Sequence, residues 1–448
     1  MLDSMGPRAQ WRTQSGFILA ALGAAIGLGN IWRFSYVVAD NGGAAFLAVY
    51  FGTIVLVGLP LLLVELAIGR LTQREAASAF WQLGRTAPWR GAGLIGVLTS
   101  FVILTYYGVI TGWALKYFAA FATGLYPLQA GTADEYFRAF SASPIEPILW
   151  QICIMSVTVG IVLAGIEGGI ERANKILMPV LAALVIALAI HSLALPNAGH
   201  GLTFLFAPSW EALLEPRVYL AALGQAFFSL GLAMGILVTY GSYLPRHQRL
   251  PAAGAVIVLG DTLFAMAAAI ILFPAIFSFG MSLDQGPGLA FVTLPEIFAR
   301  MTGGQFVGIA FFGLLVLAAL TSFVALLEVP VAFAIEWWGM SRAKATISIG
   351  VTAVILGVPS SLGFGPWSGI TLVGMPIMDA IDLVASNILL PLSGLAIVLF
   401  AGWHWHKADA FAAVGFTRGW LAGLWWGLVR YLAPAAIIII FLRSLAVF

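Results

Sequence analysis

The sequence predicts an all-α integral membrane protein, and three observations predict it. Of 448 residues, 61% are hydrophobic and 9% charged, where soluble domains carry about 25% charged residues. Apolar runs long enough to cross a hydrocarbon core, about 20 residues, recur eleven times along the chain. The basic residues alternate with them: fourteen Lys/Arg fall in loops on one side, and only Arg138, Arg217, Arg300 and Arg443 on the other.

The predicted spans are 12–38, 43–69, 91–124, 146–165, 174–194, 217–242, 252–279, 304–336, 343–358, 376–402 and 419–446. The first contains "GAAIGLGNIWRF" (Gly23–Phe34), whose three glycines, asparagine and arginine weaken a lipid-embedded helix. The second carries Glu65, and the third reads "YYGVITGW". The sixth contains "FFSLGLAMGILVTY", with Gly231 and Gly235 bracketing Leu232, Ala233 and Met234. Asp261 lies in the seventh, Thr321, Ser322 and Glu328 in the eighth, and Asp379 and Asp382 open the tenth. Residues 286–302 are too short for a span and predict an external helical hairpin.

Positive loops stay in the cytoplasm, so the N-terminus is expected inside and, after eleven spans, the C-terminus outside. No cleavable signal is evident, and the inner membrane is the expected location. A single cysteine, Cys153, excludes an internal disulfide and a Cys-based metal cage. The net charge of +2 is dispersed among short loops and gives no nucleic-acid footprint. The five histidines fall at span ends or in loops, and no nucleophile–base pair stands out, which disfavours an enzyme.

Ionisable groups at membrane depth are costly, at least roughly 2.5–3.5 kcal/mol each on insertion scales, and usually mark a pathway. Glu65, Asp261, Glu328, Asp379 and Asp382 spread over four spans, which helix-tying ion pairs alone explain poorly. Spans 1 and 6 also share a weak likeness, "AALGAA" against "AALGQA". Five spans apart, they would enter the bilayer from opposite sides, as in inverted-repeat transporters with interrupted helices. Unwound carbonyls there could coordinate a small cation, and freed amides a carboxylate.

"GLGNIWRF" followed by "NGGAAF", "YYGVITGW", "GQAFFSLGLAMG" and "LTSFVALLEV" resemble the neurotransmitter:sodium symporter family. The resemblance runs from Arg8 to about Asp382 and is strongest to its bacterial amino-acid transporters, the leucine transporter among them. It implies two inverted five-helix repeats (8–194 and 215–402) plus an eleventh helix (416–448) in one transporter domain, with helices 1 and 6 unwound at midplane.

The resemblance also implies two sodium sites. The first would use the Ala25 carbonyl, Asn30, Ser229 and Asp261, together with the substrate carboxylate. The second would use the carbonyls of Gly23, Ile26 and Ala318 with the hydroxyls of Thr321 and Ser322. The animal members' chloride site maps to Tyr50, Gln225, Ser229 and Ala265. Asp261 stands where those members have asparagine, and its carboxylate is expected to replace the chloride charge. Protonation of Asp261 after sodium leaves would then allow proton counter-transport.

Amine transporters carry an aspartate where this chain has Gly27, so a free amino acid is the expected substrate. Its carboxylate would meet the amides of Leu28 and Gly29 and the Tyr107 hydroxyl. The pocket would comprise Ala24, Ala25, Gly27, Ile103, Tyr107, Phe228, Ser229, Gly231, Met234, Thr321, Phe323 and Leu326. None of these is charged, and a charged substrate side chain would go unpaired at high cost. Gly231 frees volume and Met234 adapts its shape, so a large apolar or aromatic L-amino acid fits. Ala233 replaces a glycine and is expected to stiffen the turn. The outer gate would pair Arg33 with Asp382, with Tyr107 and Phe228 as the lid. The inner gate would pair Arg8 with Glu336, supported by Trp11, Tyr243 and Glu328.

The expected function is sodium-coupled, chloride-independent amino-acid symport by alternating access, carried out by a monomer in the bilayer. A transporter-like sensor and a carrier of another small carboxylate remain open on these residues, while the aromatic lid and paired gates disfavour a channel.

Overall fold

The computed structural model describes residues 8–207, 210–281, 288–416 and 419–445. They are predominantly helical, and the helices that position the site begin with α1 (Gln14–Ala25) and α2 (Gly29–Asp40). The long α3 (Ala44–Thr72) is followed by the short α4 (Ala76–Gly84) and by α5 (Ala87–Ala122). Next come α6 (Glu146–Leu163) and α7 (Ile166–Leu193), then two short pieces, α8 (Pro216–Ser229) and α9 (Ile236–Gly241). The chain continues through α10 (Leu250–Phe279), α11 (Gly304–Trp338), α12 (Arg342–Leu362), α13 (Ile377–His404) and α14 (Trp420–Arg443).

By length and composition, nine of the described helices can cross a membrane, or ten when the bent pair α1–α2 is one span. The predicted span 217–242 is divided between α8 and α9, each too short to cross alone. Two expectations are corrected locally. A small antiparallel hairpin, Thr371–Leu372 with Met375–Pro376, interrupts the all-helical pattern. Leu289–Arg300 forms one helical stretch rather than a hairpin; the start of that predicted hairpin lies outside the described residues. Short helices at Ala133–Ser141, Ala198–Phe206 and Lys407–Val414 were not anticipated.

Burial separates an interior from a periphery. In α5 and α11, 72% of the most apolar stretch is buried, whereas in α7 the share is 28%. The two long helices therefore run through the centre, and α7 presents most of its apolar surface outward, as a lipid-facing helix does. Small residues allow the close crossings. A Cβ on Gly69 of α3 would lie 1.9 Å from the Val238 carbonyl of α9.

Two breaks face the centre. α1 stops at Ala25 because Ile26 turns extended, at φ −74° and ψ 104°, and the chain resumes as α2 after a 69° bend. Between α8 and α9, Gly231 and Gly235 take positive φ, and so does Ala233 at +65°. The left-handed region costs a non-glycine residue roughly 1–2 kcal/mol, so this turn is held against local preference.

Candidate functional site at the two helix breaks

The α1–α2 break packs against α11. The Ser322 hydroxyl lies 3.2 Å from the Gly23 carbonyl, 3.2 Å from Ala24, 3.1 Å from Ile26 and 3.4 Å from Ala318. One hydroxyl proton satisfies one of those four oxygens at a time, so carbonyls at the end of α1 converge on a single point beside α11. Beside it, the Thr321 hydroxyl sits 3.0 Å from the Ala318 carbonyl. All the residues expected at the second cation site therefore meet at one place.

A second polar cluster joins three elements. Asn30 Nδ2 donates to Ser229 Oγ at 2.9 Å and to Asp261 Oδ1 at 2.7 Å, and Ser229 Oγ donates to Asp261 Oδ2 at 2.7 Å. The Gly27 amide donates to Asn30 Oδ1 at 3.1 Å. Asn30, Ser229 and Asp261 are buried together, and their oxygens are the hard donors that suit an alkali cation. No group of three or more His, Cys, Asp or Glu able to hold a metal occurs among the described residues.

Between the clusters lies a cavity of about 30 Å³, lined by Ala24, Ala25, Gly27, Gly29, Asn30, Ile103, Tyr107, Phe228, Gly231, Met234, Ile236, Ser322 and Leu326. Leu28 donates its amide to the Tyr107 hydroxyl at 3.2 Å, leaving a polar corner where α2 begins. A Cβ on Gly27 would come within 2.9 Å of Ser322 Oγ and 3.0 Å of Tyr107 Oη, so any side chain there would crowd both hydroxyls. Phe323 departs from expectation: it is absent from the cavity lining and packs behind Tyr107, ring centroids 6.0 Å apart. Ser229 and Thr321 also stand behind the lining, in the two polar clusters, and Leu28 lines the outer cavity instead.

That outer cavity, about 230 Å³, is shared by Gly29, Arg33, Tyr106, Tyr107, Phe228, Asp379 and Asp382. The expected Arg33–Asp382 ion pair is not formed. The Arg33 guanidinium lies over the Phe228 ring, 4.4 Å from its centroid, and Asp382 accepts from Tyr106 Oη at 2.6 Å and Ser386 Oγ at 2.9 Å. Both charges have local partners that hold them apart across the cavity.

The opposite side is sealed. Arg8 Nη1 donates to Glu336 Oε2 at 2.9 Å, and Arg8 Nε to Ser242 Oγ at 3.0 Å. Arg74 and the Glu75 backbone amide also donate to Glu336, at 3.2 and 3.1 Å. Trp11 Nε1 donates to the Tyr240 carbonyl at 2.9 Å, and Tyr243 Oη to Glu328 Oε1 at 2.7 Å. Glu328 also takes Arg342 Nη2 at 2.5 Å. Glu75 accepts from the Ala77 and Ser78 amides and from Trp337 Nε1. Burial pushes its carboxyl above the usual carboxylate range, with neighbouring Glu336 adding to the rise against the Ser78 hydrogen bond.

The sequence reading missed Arg74 and Arg342, counting them only as loop charges, and it missed Tyr106. It noticed Glu65 without giving it a partner. Glu65 Oε1 accepts from the Ala233 amide at 2.8 Å, and Ser100 Oγ donates to the Met234 carbonyl at 2.6 Å. Helices α3 and α5 thereby hold the strained turn from two sides.

Known proteins resemble this chain over nearly its whole length. The sequence model of the "Sodium:neurotransmitter symporter family" matches residues 8–135 and 141–448. An uncharacterized sodium-dependent transporter of Bacillus subtilis, YhdH, is 37% identical over 444 residues, covering 98% of each chain. An uncharacterized sodium-dependent transporter of Methanocaldococcus jannaschii is 33% identical, covering 95% of this chain and 87% of its own. The crystal structure of MhsT in complex with L-phenylalanine superposes with a TM-score of 0.91 at 50% identity, over 98% of this chain and 100% of that one.

Proposed function

The chain belongs to the sodium:neurotransmitter symporter family, and on that premise we propose that it is a sodium-coupled symporter of neutral hydrophobic or aromatic L-amino acids. It is a sodium-dependent, multi-pass membrane transporter and not an enzyme. The observation that carries the finer reading is the Ser322 hydroxyl among four carbonyl oxygens. Such a ring replaces the hydration shell of a small cation, and it joins α1 to α11.

Sodium at this second site would fix the α1 break against α11, and its release would free the break to move. Sodium at the first site would sit among Ala25, Asn30, Ser229 and Asp261. The Asn30 amide oxygen, now on the Gly27 amide, would turn to face it. The substrate carboxylate would complete that shell, coupling the two affinities in both directions. Its remaining contacts would be the Leu28 and Gly29 amides and the Tyr107 hydroxyl. Asp261 would supply the negative charge beside sodium, making transport independent of chloride and leaving a group for proton counter-transport.

The wholly uncharged wall around Met234 supports an apolar side chain, and the phenylalanine in the MhsT structure supports that class. The central cavity has room for about two waters. An aromatic side chain would enter by displacing Met234 and the Phe228 lid. Residues 8–194 and 215–402 would act as the two inverted repeats, with 416–448 outside them. The sealed Arg8 side would face the cytoplasm, and a single chain would suffice for the cycle.

The test is uptake of radiolabelled Trp, Tyr, Leu and Ala into proteoliposomes, with and without an inward sodium gradient. Accumulation of the large apolar substrates only with sodium is expected. Flux indifferent to sodium would overturn the symport mechanism, and preference for Ala would overturn the substrate class.

A further inference from the structure

Asn174, on α7, is 1% exposed. Its Nδ2 donates to the Ile170 carbonyl one turn back, at 2.9 Å. That bond fixes which way the amide faces and leaves Oδ1 directed at α1. Oδ1 is buried and has no hydrogen-bond partner. A Cβ on Gly23 would lie 2.3 Å from Oδ1 and 3.0 Å from Thr321 Cβ. The orphan oxygen is therefore wedged beside Gly23 and Thr321, two members of the proposed second sodium site.

A buried acceptor without a donor is costly and calls for an explanation. The near neighbours offer no proton. Thr321 Oγ1 lies within donating distance of the Leu317 and Ala318 carbonyls, and the third close atom, Met178 Sδ, carries none. A neutral amide oxygen is, however, a good ligand for an alkali cation. One turn toward the sealed face, Glu171 presses on the same helix. A Cβ on Gly16 would meet its Oε1 at 2.2 Å, and it accepts from the Arg12 amide at 2.7 Å and from Thr13 Oγ1 at 2.8 Å. Lys175 Nζ also donates to Glu171 Oε1, at 2.6 Å, so that carboxylate is already paired, whereas Asn174 Oδ1 is not.

We propose that Asn174 Oδ1 is a further sodium ligand, taking the ion on the α7 side of the second site. The proposal rests on the second-site reading given above. The carbonyls of Gly23 and Ala318 approach the ion from α1 and α11, and Asn174 approaches it from α7. Sodium binding then ties three helices together.

The experiment measures sodium affinity of the purified full-length protein in detergent, from the sodium-dependent rise in melting temperature and from radioactive sodium binding at pH 8. Asn174→Asp keeps the side chain's shape and adds charge, and it should tighten sodium binding about tenfold. Asn174→Leu removes the ligand and should weaken it several-fold. Without sodium the Leu variant should melt no lower than the parent, because the unpaired oxygen has gone. Opposite shifts of the two variants support the proposal, since a packing role would not produce them. Affinities within twofold of the parent, or shifts of the same sign, overturn it; should the Leu variant not fold, the Asp variant decides by itself. A Thr321→Ala, Ser322→Ala variant runs alongside. If that pair keeps normal sodium affinity, the second-site reading itself fails, whatever Asn174 does.

Discussion

Arg8 Nη1 lies 2.9 Å from Glu336 Oε2, an ion pair between a residue that precedes the first helix and the end of α11. The Glu336 side chain is 2% exposed and the Arg8 side chain 19%, so the pair is largely shielded from solvent. Replacing Arg8 with Ala leaves Glu336 with Arg74 and one amide. The loss should be about 1–3 kcal/mol in favour of opening this side, discounted because Arg8 is partly solvated. Apparent sodium affinity at the opposite face should fall by tenfold or more, read from sodium-dependent substrate binding. An unchanged affinity would mean that Arg74 alone holds the gate.

Tyr106 occupies the Asp382 carboxylate on the outer side. Tyr106→Phe frees that oxygen for Arg33 and should favour closure over the substrate. Substrate dissociation should slow several-fold in a washout assay, with association slowed as well. Faster dissociation would show that Tyr106 itself forms the lid.

Thr321→Ala with Ser322→Ala removes both hydroxyls from the carbonyl ring. Uptake driven by sodium should drop at least a hundredfold. Residual substrate binding should depend on sodium through the first site alone, with its sodium dependence becoming shallower. Intact sodium-driven uptake would reduce the two hydroxyls to ordinary helix back-bonding.

Gly27→Asp places a side chain where Ser322 Oγ and Tyr107 Oη already stand, and sets its charge against a substrate carboxylate. Amino-acid uptake should fall by more than a hundredfold. Gly27→Ala adds only the crowding and should cost less. Equal losses in the two variants would assign the position to space alone.

Ala233→Gly removes left-handed strain from the α8–α9 turn, while Glu65 keeps its bond to the amide. The variant should be more stable by about 1 kcal/mol, seen as a higher melting temperature. The Ala233 methyl now faces Gly394 of α13, at 3.6 Å from where a Cβ would stand there. Losing it should loosen Met234 and widen the range of accepted side chains in competition assays. A narrower range would show that the methyl, rather than the turn's stiffness, shapes the pocket.

The sequence marked the site well wherever a residue type conflicted with its surroundings. Glycines and Asn30 inside an apolar run announced the first break, and Asp261 in a membrane span announced the first cluster. Arg8 and Glu336 found each other through the family resemblance, and they do meet. Arg33 and Asp382 were matched the same way and do not meet, because Phe228 and Tyr106 offer each a nearer partner. Phe323 was placed in the pocket through the same resemblance, yet it is absent from the central cavity's lining and packs against Tyr107.

What the sequence by itself determined is the membrane setting, the family and the residue types at the two breaks. Hydropathy and glycine placement are local properties, and a single chain displays them. The tertiary structure alone decided which of those groups share a proton, which stay apart, and which lack a partner. Glu65 on the Ala233 amide and Asn174 beside Gly23 join residues far apart in the chain. A hydrogen bond forms only within about 3 Å, whatever the sequence distance. Helix packing sets that separation, and no local pattern encodes it.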